Sequence, residues 1–259
     1  MKPLIKWSGG KSDELVYIKK HISENFDTYL EPFFGGGSVF FDLEPKKSVI
    51  SDVHPELIDL YRIIKDGHGD EMKKWMDLHP NDEETYYKVR DDLEVDSTFL
   101  NACRFYYQRK TCFRGMMRYN KSGHFNIPFG RYKTIKYDDI ASPEYQKIFE
   151  NCEVLNEGFE YVFENYNSPD NFCFLDPPYD STFTDYGYCQ FGKEDHIKLA
   201  KYFKETSIKC LMVIGKTELI SELYAGYIKE EYSKKYRFKL HSGRIGEEID
   251  NVHLIIKNY

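Results

Sequence analysis

The 259-residue chain carries 36 Lys and Arg against 43 Asp and Glu, a net charge of −7, with 41% hydrophobic and 17% aromatic residues. It is long enough for one large domain, or one domain with a substantial insertion, and apolar enough to bury a sizeable core. Its acidity excludes general adhesion to nucleic acid, no run approaches membrane-spanning length, and "MKPLIKWSGGK" lacks the apolar core of a signal peptide. Six cysteines without CxxC spacing argue against a zinc site, so the expectation is a reduced, intracellular protein with no metal and no membrane partner.

In chain order, residues 29 to 34 read as a short strand running into "GGGS", and "SVFFDL" as the first turns of a buried helix. "KSVISD" is a second strand ending at Asp52. "HPELIDLYRIIKDG" places Leu57, Ile58, Leu60, Tyr61, Ile63 and Ile64 at helical spacing, with Pro55 near the start and Gly67 beyond the end. Residues 70 to 97 are acidic and helical, with "PNDEETYYKVRDDL" starting after Pro80. Residues 101 to 137 hold nine Lys or Arg and no acid, which leaves 27 positive against 43 negative side chains elsewhere. One basic, aromatic-rich block on an acidic body fits a focused contact with a polyanion. From residue 148 strand-like and helical segments alternate again, through "CEVLNEGF", "NFCFLDPPY", "KEDHIKLAKYFKET", "IKCLMVIG" and "VHLIIKNY". The pattern is an α/β sheet with a recognition insert.

Three strand ends carry chemistry. "EPFFGGGS", Glu31 to Ser38, joins a strand to a helix start through glycines that let a nucleoside-bearing ligand approach the backbone, although a triple glycine is as often a plain flexible turn. Asp52 closes the next strand, where an acid accepts from ribose hydroxyls; taken singly it is more often a helix cap. Phe172 to Leu175 is a buried strand stopped by Asp176-Pro177-Pro178-Tyr179, since Pro-Pro removes two backbone donors. The Asp176 carboxylate and a carbonyl of the rigid proline pair together accept both hydrogens of an amino group, while Tyr179 stacks on a planar ring.

The ordered set resembles the Dam-type DNA adenine-N6 methyltransferases, in the α arrangement of amino-methyltransferase motifs, over nearly the whole chain. "IKWSGGK" matches the N-terminal motif, "EPFFGGGSVFF" the cofactor loop, and "ISDVHPELIDLY" the ribose-binding acid and its helix. "RYNKSGHFNIPFGRYK" matches the target-recognition hallmark and "FLDPPYD" the catalytic motif. The resemblance implies a class I S-adenosylmethionine-dependent fold, a Rossmann-like mixed seven-stranded sheet with one antiparallel strand near its edge and a helical target-recognition insert. It implies residues 1–54 and 138–259 as the catalytic domain and 55–137 as the recognition domain. S-adenosyl-L-methionine is the implied cofactor, with Trp7, Lys11, Glu31, Phe33, Gly35, Gly37, Asp52 and Asp176 as its binding positions. Asp176, Pro177 and Tyr179 are the implied catalytic positions.

Double-stranded DNA is the implied partner, bound by a monomer or weak dimer. Phe113 matches an intercalating aromatic, Arg118 an arginine that reads guanine, and Lys6 and Tyr132 base-contacting positions. Lys110, Arg114, Met116, Asn120, Pro128 and Lys133 complete the implied DNA-binding set. Relatives carry "YNG" and an aliphatic residue where this chain has Arg114 in the Asn place and Met116 in the aliphatic one, and "MVIGKTE" replaces the usual Ser-Asn. The implied reaction is methylation of adenine N6 in a flipped-out base, within GATC. An N4-cytosine or RNA amino-methyltransferase, and a DNA-binding relative without turnover, are the alternatives.

Overall fold

The computed structural model describes residues 1–180, 191–236 and 249–259; Cys189, one of the six cysteines, lies outside them. Seven strands form one sheet: β1 (Tyr29–Glu31), β2 (Ser48–Ser51), β3 (Cys152–Leu155), β4 (Phe172–Leu175), β5 (Lys209–Gly215), β6 (Ile228–Tyr236) and β7 (Ile249–Lys257). Their order is β3-β2-β1-β4-β5-β7-β6. Neighbours are parallel from β3 to β5, and β7 runs antiparallel to both β5 and β6. This is the mixed class I methyltransferase sheet that the motif order implied.

Ten α-helices accompany the sheet among the described residues: α1 (Leu15–Ile18), α2 (Ser38–Leu43), α3 (Pro55–Lys65), α4 (Gly69–Asp77), α5 (Glu83–Tyr87), α6 (Thr98–Thr111), α7 (Pro143–Ile148), α8 (Phe159–Asn165), α9 (Lys193–Glu205) and α10 (Glu218–Leu223). The central strand β4 is apolar at every position because both its faces are covered. In β4, Phe172 and Phe174 join the core beneath α2, α3 and α6, while Cys173 and Leu175 join the core beneath α8, α9 and α10. The period-two alternation of side chains along a strand makes that division. The five described cysteines are all buried and free of disulfides.

β1 is shorter than the segment 29–34 expected from sequence, ending at Glu31 because Pro32 has no N–H to continue the ladder. The apolar stripe of α3 is buried as its spacing predicts, and Pro55 takes a first-turn position. At the far end of α3, Arg62 and Lys65 donate to the carbonyls of Val154 and Cys152, locking the helix to the edge strand. β6 and helices α8 and α10 have no counterpart in the sequence reading. "IKEEYSKKY" carries five charged side chains in nine residues, the composition of an edge strand with one paired side. The basic block begins on α6, a long helix, and continues as irregular chain with isolated bridges between Cys112 and Phe129 and between Tyr119 and Phe125.

Candidate active site

The carboxyl ends of β1, β2 and β4 point the same way, and the crevice outside them lies where the chain's strand order changes direction. Trp7, Lys11, Glu31, Phe33, Gly35, Gly37, Asp52, Asp176, Pro177 and Tyr179 all line it. The structure therefore brings together every residue assigned from sequence to cofactor or chemistry.

The glycine turn is built around Trp7. Gly35 and Gly37 have φ of +49° and +66°, a region where side chains are strained. A Cβ on Gly35 would sit 2.6 Å from the Trp7 indole. The indole thus fills the space that Gly35 leaves and braces the turn against the N-terminal segment, whereas a Cβ on Gly37 would meet the Phe34 and Phe41 rings.

Asp52 accepts from the backbone N–H of Gly35 at 2.9 Å and of His54 at 3.0 Å. Burial raises its pKa to about 6, with those amides working in the opposite direction. Glu31 is also buried, and its carboxyl is pushed well up, first by burial. Tyr29 holds it with a 2.7 Å hydrogen bond. Phe33 stacks on Phe159 with ring centroids 5.6 Å apart and meets Phe191 edge-on at 5.7 Å, giving a flat apolar wall beside Asp52.

Lys11 is only 2% exposed, and its ammonium lies 2.6 Å from Asp176 Oδ1 and 2.7 Å from the Gly9 carbonyl. It also sits 5.2 Å from the centre of the Tyr179 ring. Burial raises the Asp176 pKa, and the charge and hydrogen bond of Lys11 hold it back. Behind Lys11, Glu14 accepts from His253 Nδ1 at 2.6 Å, from the Tyr232 hydroxyl at 2.6 Å, and from Lys234. Burial raises the Glu14 carboxyl, but these partners and the Lys11 charge outweigh it and bring it to about 2. The His253 ring stands edge-on to Tyr179 at 5.3 Å, so the β6–β7 hairpin supports the ring after the proline pair. Nothing in sequence spacing singles out Glu14 or His253, which lie 239 residues apart.

The remaining assigned positions fall along the basic segment, with Lys6 beside it. Lys6, Arg114, Met116, Arg118, Asn120, Pro128 and Lys133 are exposed, Met116 by 44%. Phe113 and Tyr132 are half-buried. Lys110 lies over the Tyr106 ring at 5.0 Å, and its pKa falls to about 8, first through burial. The Asn120 side-chain oxygen accepts from the N–H groups of Ser122 and His124, so it shapes its own turn.

Two of the nine basic residues serve the interior. Arg104 pairs with Glu56 at 2.9 Å. Arg109 is 3% exposed and donates to the carbonyls of Met116 at 2.6 Å, Lys6 at 2.8 Å, and Gly115. It ties α6, the turn at 113–116 and the N-terminal motif into one piece. The signal was available: Arg109 lies seven residues beyond Ala102 and four beyond Phe105, on the buried stripe of α6.

The sequence description of the D12 class N6 adenine-specific DNA methyltransferase matches residues 7–240, a span containing the whole crevice lining. The chain is 56% identical over 261 residues to the Type II methyltransferase M.CviBI of Paramecium bursaria Chlorella virus NC1A, covering all of both chains. It is 33% identical to the Type II methyltransferase M.MjaIII of Methanocaldococcus jannaschii, over 91% of this chain and 92% of that protein. It is 29% identical to a DNA adenine methylase of Vibrio cholerae serotype O1, over 87% of this chain and 85% of that protein.

Proposed function

The chain belongs to the D12 class of N6 adenine-specific DNA methyltransferases, and from that premise we propose that it methylates adenine N6 within GATC in duplex DNA, on a base turned out of the helix. The observation that carries the site assignment is the convergence of the glycine turn, Asp52, Lys11 and Asp176 on one crevice. That donor and acceptor set fits S-adenosylmethionine: the Asp52 carboxylate for vicinal hydroxyls, the Phe33–Phe159 wall for a flat ring, and the Lys11 ammonium for a carboxylate. When bound, the cofactor supplies an electrophilic methyl on a sulfonium.

The chain's own residues do the rest. The adenine amine is a poor nucleophile because its lone pair is delocalised into the ring. Asp176 and the Pro177 carbonyl accept its two N–H bonds, and this attraction grows as positive charge develops on nitrogen. The raised Asp176 pKa makes that carboxylate a better acceptor. Tyr179 stacks on the extruded ring, whose removal from the duplex costs on the order of a few kcal/mol.

We assign target reading to residues 55–137 together with Lys6. Arg118 is the candidate for a guanine contact, Phe113 for filling the vacated stack, and Tyr132, Met116 and Pro128 for neighbouring base edges. Lys110, Arg114, Asn120 and Lys133 complete the DNA-facing set. An enzyme acting on DNA is expected to work inside a cell, and we assign it the state of a monomer or weak dimer on DNA. The Type II names of two relatives support a role as the protecting member of a restriction–modification pair.

The test is mass spectrometry of nucleosides from unmethylated duplex DNA incubated with protein and S-adenosylmethionine, beside Asp176→Ala. N6-methyladenine with wild type alone is expected, and sequencing of modified positions is expected to return GATC. N4-methylcytosine would move the target amine, and no product on duplex DNA would overturn the DNA reading in favour of RNA or binding without turnover.

A further inference from the structure

The crevice and the recognition segment are joined by a chain of hydrogen bonds with a fixed direction. His54 caps α3: its Nδ1 accepts from the Leu57 N–H at 3.3 Å, so the ring proton sits on Nε2. Nε2 then donates to the Tyr119 hydroxyl at 2.9 Å. Tyr119 donates in turn to Glu56 Oε2 at 2.7 Å, and Arg104 donates to Glu56 Oε1 at 2.9 Å. Burial, aided by the charge of Arg109, holds the His54 pKa down to about 3, so the ring stays neutral and this polarity persists at ordinary pH.

Each end of the chain lies on a piece of machinery. His54 is 2% exposed, and its backbone N–H is one of the two amides that hold Asp52. Its ring also meets Trp7 edge-on at 5.8 Å. Tyr119 sits in a small hairpin, closed by Asn120 N to His124 O at 2.9 Å and Asn126 N to Arg118 O at 3.0 Å. Side chains alternate along such a segment, so the inward Tyr119 leaves its neighbours Arg118 and Asn120 facing out. A shift of this hairpin must therefore be felt at the residue that shapes the Asp52 carboxylate, and the reverse.

We propose that Tyr119 and His54 are positioning residues that couple the target-reading hairpin to the cofactor carboxylate, so that cofactor and duplex bind cooperatively. This rests on the function proposed above. By linkage, each ligand then raises the affinity of the other by the same factor.

The test is fluorescence anisotropy of a labelled duplex carrying the site found by sequencing, with and without saturating S-adenosylhomocysteine, on the full chain. In wild type the product is expected to tighten duplex binding by about 5- to 100-fold. In Tyr119→Phe that ratio falls towards one, while cofactor affinity without DNA stays within about twofold of wild type. A merely structural role would lower the melting temperature and leave the ratio intact. Glu56→Gln, which keeps the side-chain shape and removes the charged acceptor, gives the same readout if Tyr119→Phe fails to fold. A wild-type ratio of one, or an unchanged ratio in a folded variant, overturns the coupling while methylation still upholds the function. Loss of both methylation and duplex binding in wild type overturns the function and the coupling together.

Discussion

At Asp52, burial works for the ligand and against the empty protein. Its folded pKa of about 6 stands above the ordinary 3.8, so between those values the folded chain keeps a proton that the unfolded chain has shed. The destabilising contribution grows as pH rises through that window and is complete above pH 6. Asp52→Asn removes this charge penalty but sets an amide NH2 against one of the two backbone N–H groups, so any gain in ligand-free stability at pH 7.5, measured by urea unfolding, should stay below about 3 kcal/mol. The same change should reduce, without abolishing, the thermal shift that S-adenosylmethionine gives wild type. Ribose hydroxyls donate best to the ionised form, so wild-type cofactor affinity should weaken as pH falls below 6, and calorimetry on the Asn variant should show a flatter profile. At Asp176 the expectation is kinetic: Asp176→Ala should lower kcat by about 10²- to 10³-fold, the range for removing one preorganised transition-state partner. A single-turnover rate within threefold of wild type would remove Asp176 from the chemistry.

Among the elements, the glycine turn and α6 show how a short segment fixes a site. Gly35→Ala would force a side chain into φ of +49° and towards the Trp7 indole. The backbone strain alone costs about 1–2 kcal/mol, so both the melting temperature and cofactor affinity should fall. A variant with wild-type values in both would show that Trp7 yields without consequence. In α6, the sequence made Arg109 one of nine interchangeable positive charges, whereas the fold buries it against three carbonyls. Arg109→Met should destabilise the protein by about 1–3 kcal/mol for each buried carbonyl left without a donor. The fall in duplex affinity should then follow from lost structure, visible as a lower denaturation midpoint.

Over the whole molecule, an acidic body presents a small basic face, and salt dependence measures that face directly. Each phosphate contact contributes about 0.9 to the slope of log affinity against log salt. Lys133→Ala should therefore reduce the slope by about one, with affinity falling equally on cognate and non-cognate duplexes. An unchanged slope would move Lys133 off the phosphate path.

The fold and the crevice were legible because their determinants are local. Proline stops at Pro32 and Pro177, the glycine turn, the stripe of α3 and the uninterrupted apolar runs of β4 and β5 each specify an element without reference to distant chain. A parallel sheet then brings the ends of β1, β2 and β4 to one edge, so three motifs scattered over some 150 residues become one site. β6 escaped because an edge strand need bury little, and its "KEEYSKKY" carries none of the apolar signal on which a strand is recognised. The partners of charge were the tertiary structure's decision. Whether Arg109 meets phosphate or carbonyl, whether Glu14 faces water or His253, and whether Tyr119 reaches His54 depend on which distant groups packing brings within 3 Å. Sequence alone determined the strand–helix alternation and the motif order, which follow from periodicity and turns, and the family resemblance of those motifs implied the sheet and the class of chemistry. Burial and long-range pairing set the pKa of Asp52 and the links between the two halves of the site, because electrostatic energy depends on surroundings that only the folded chain defines.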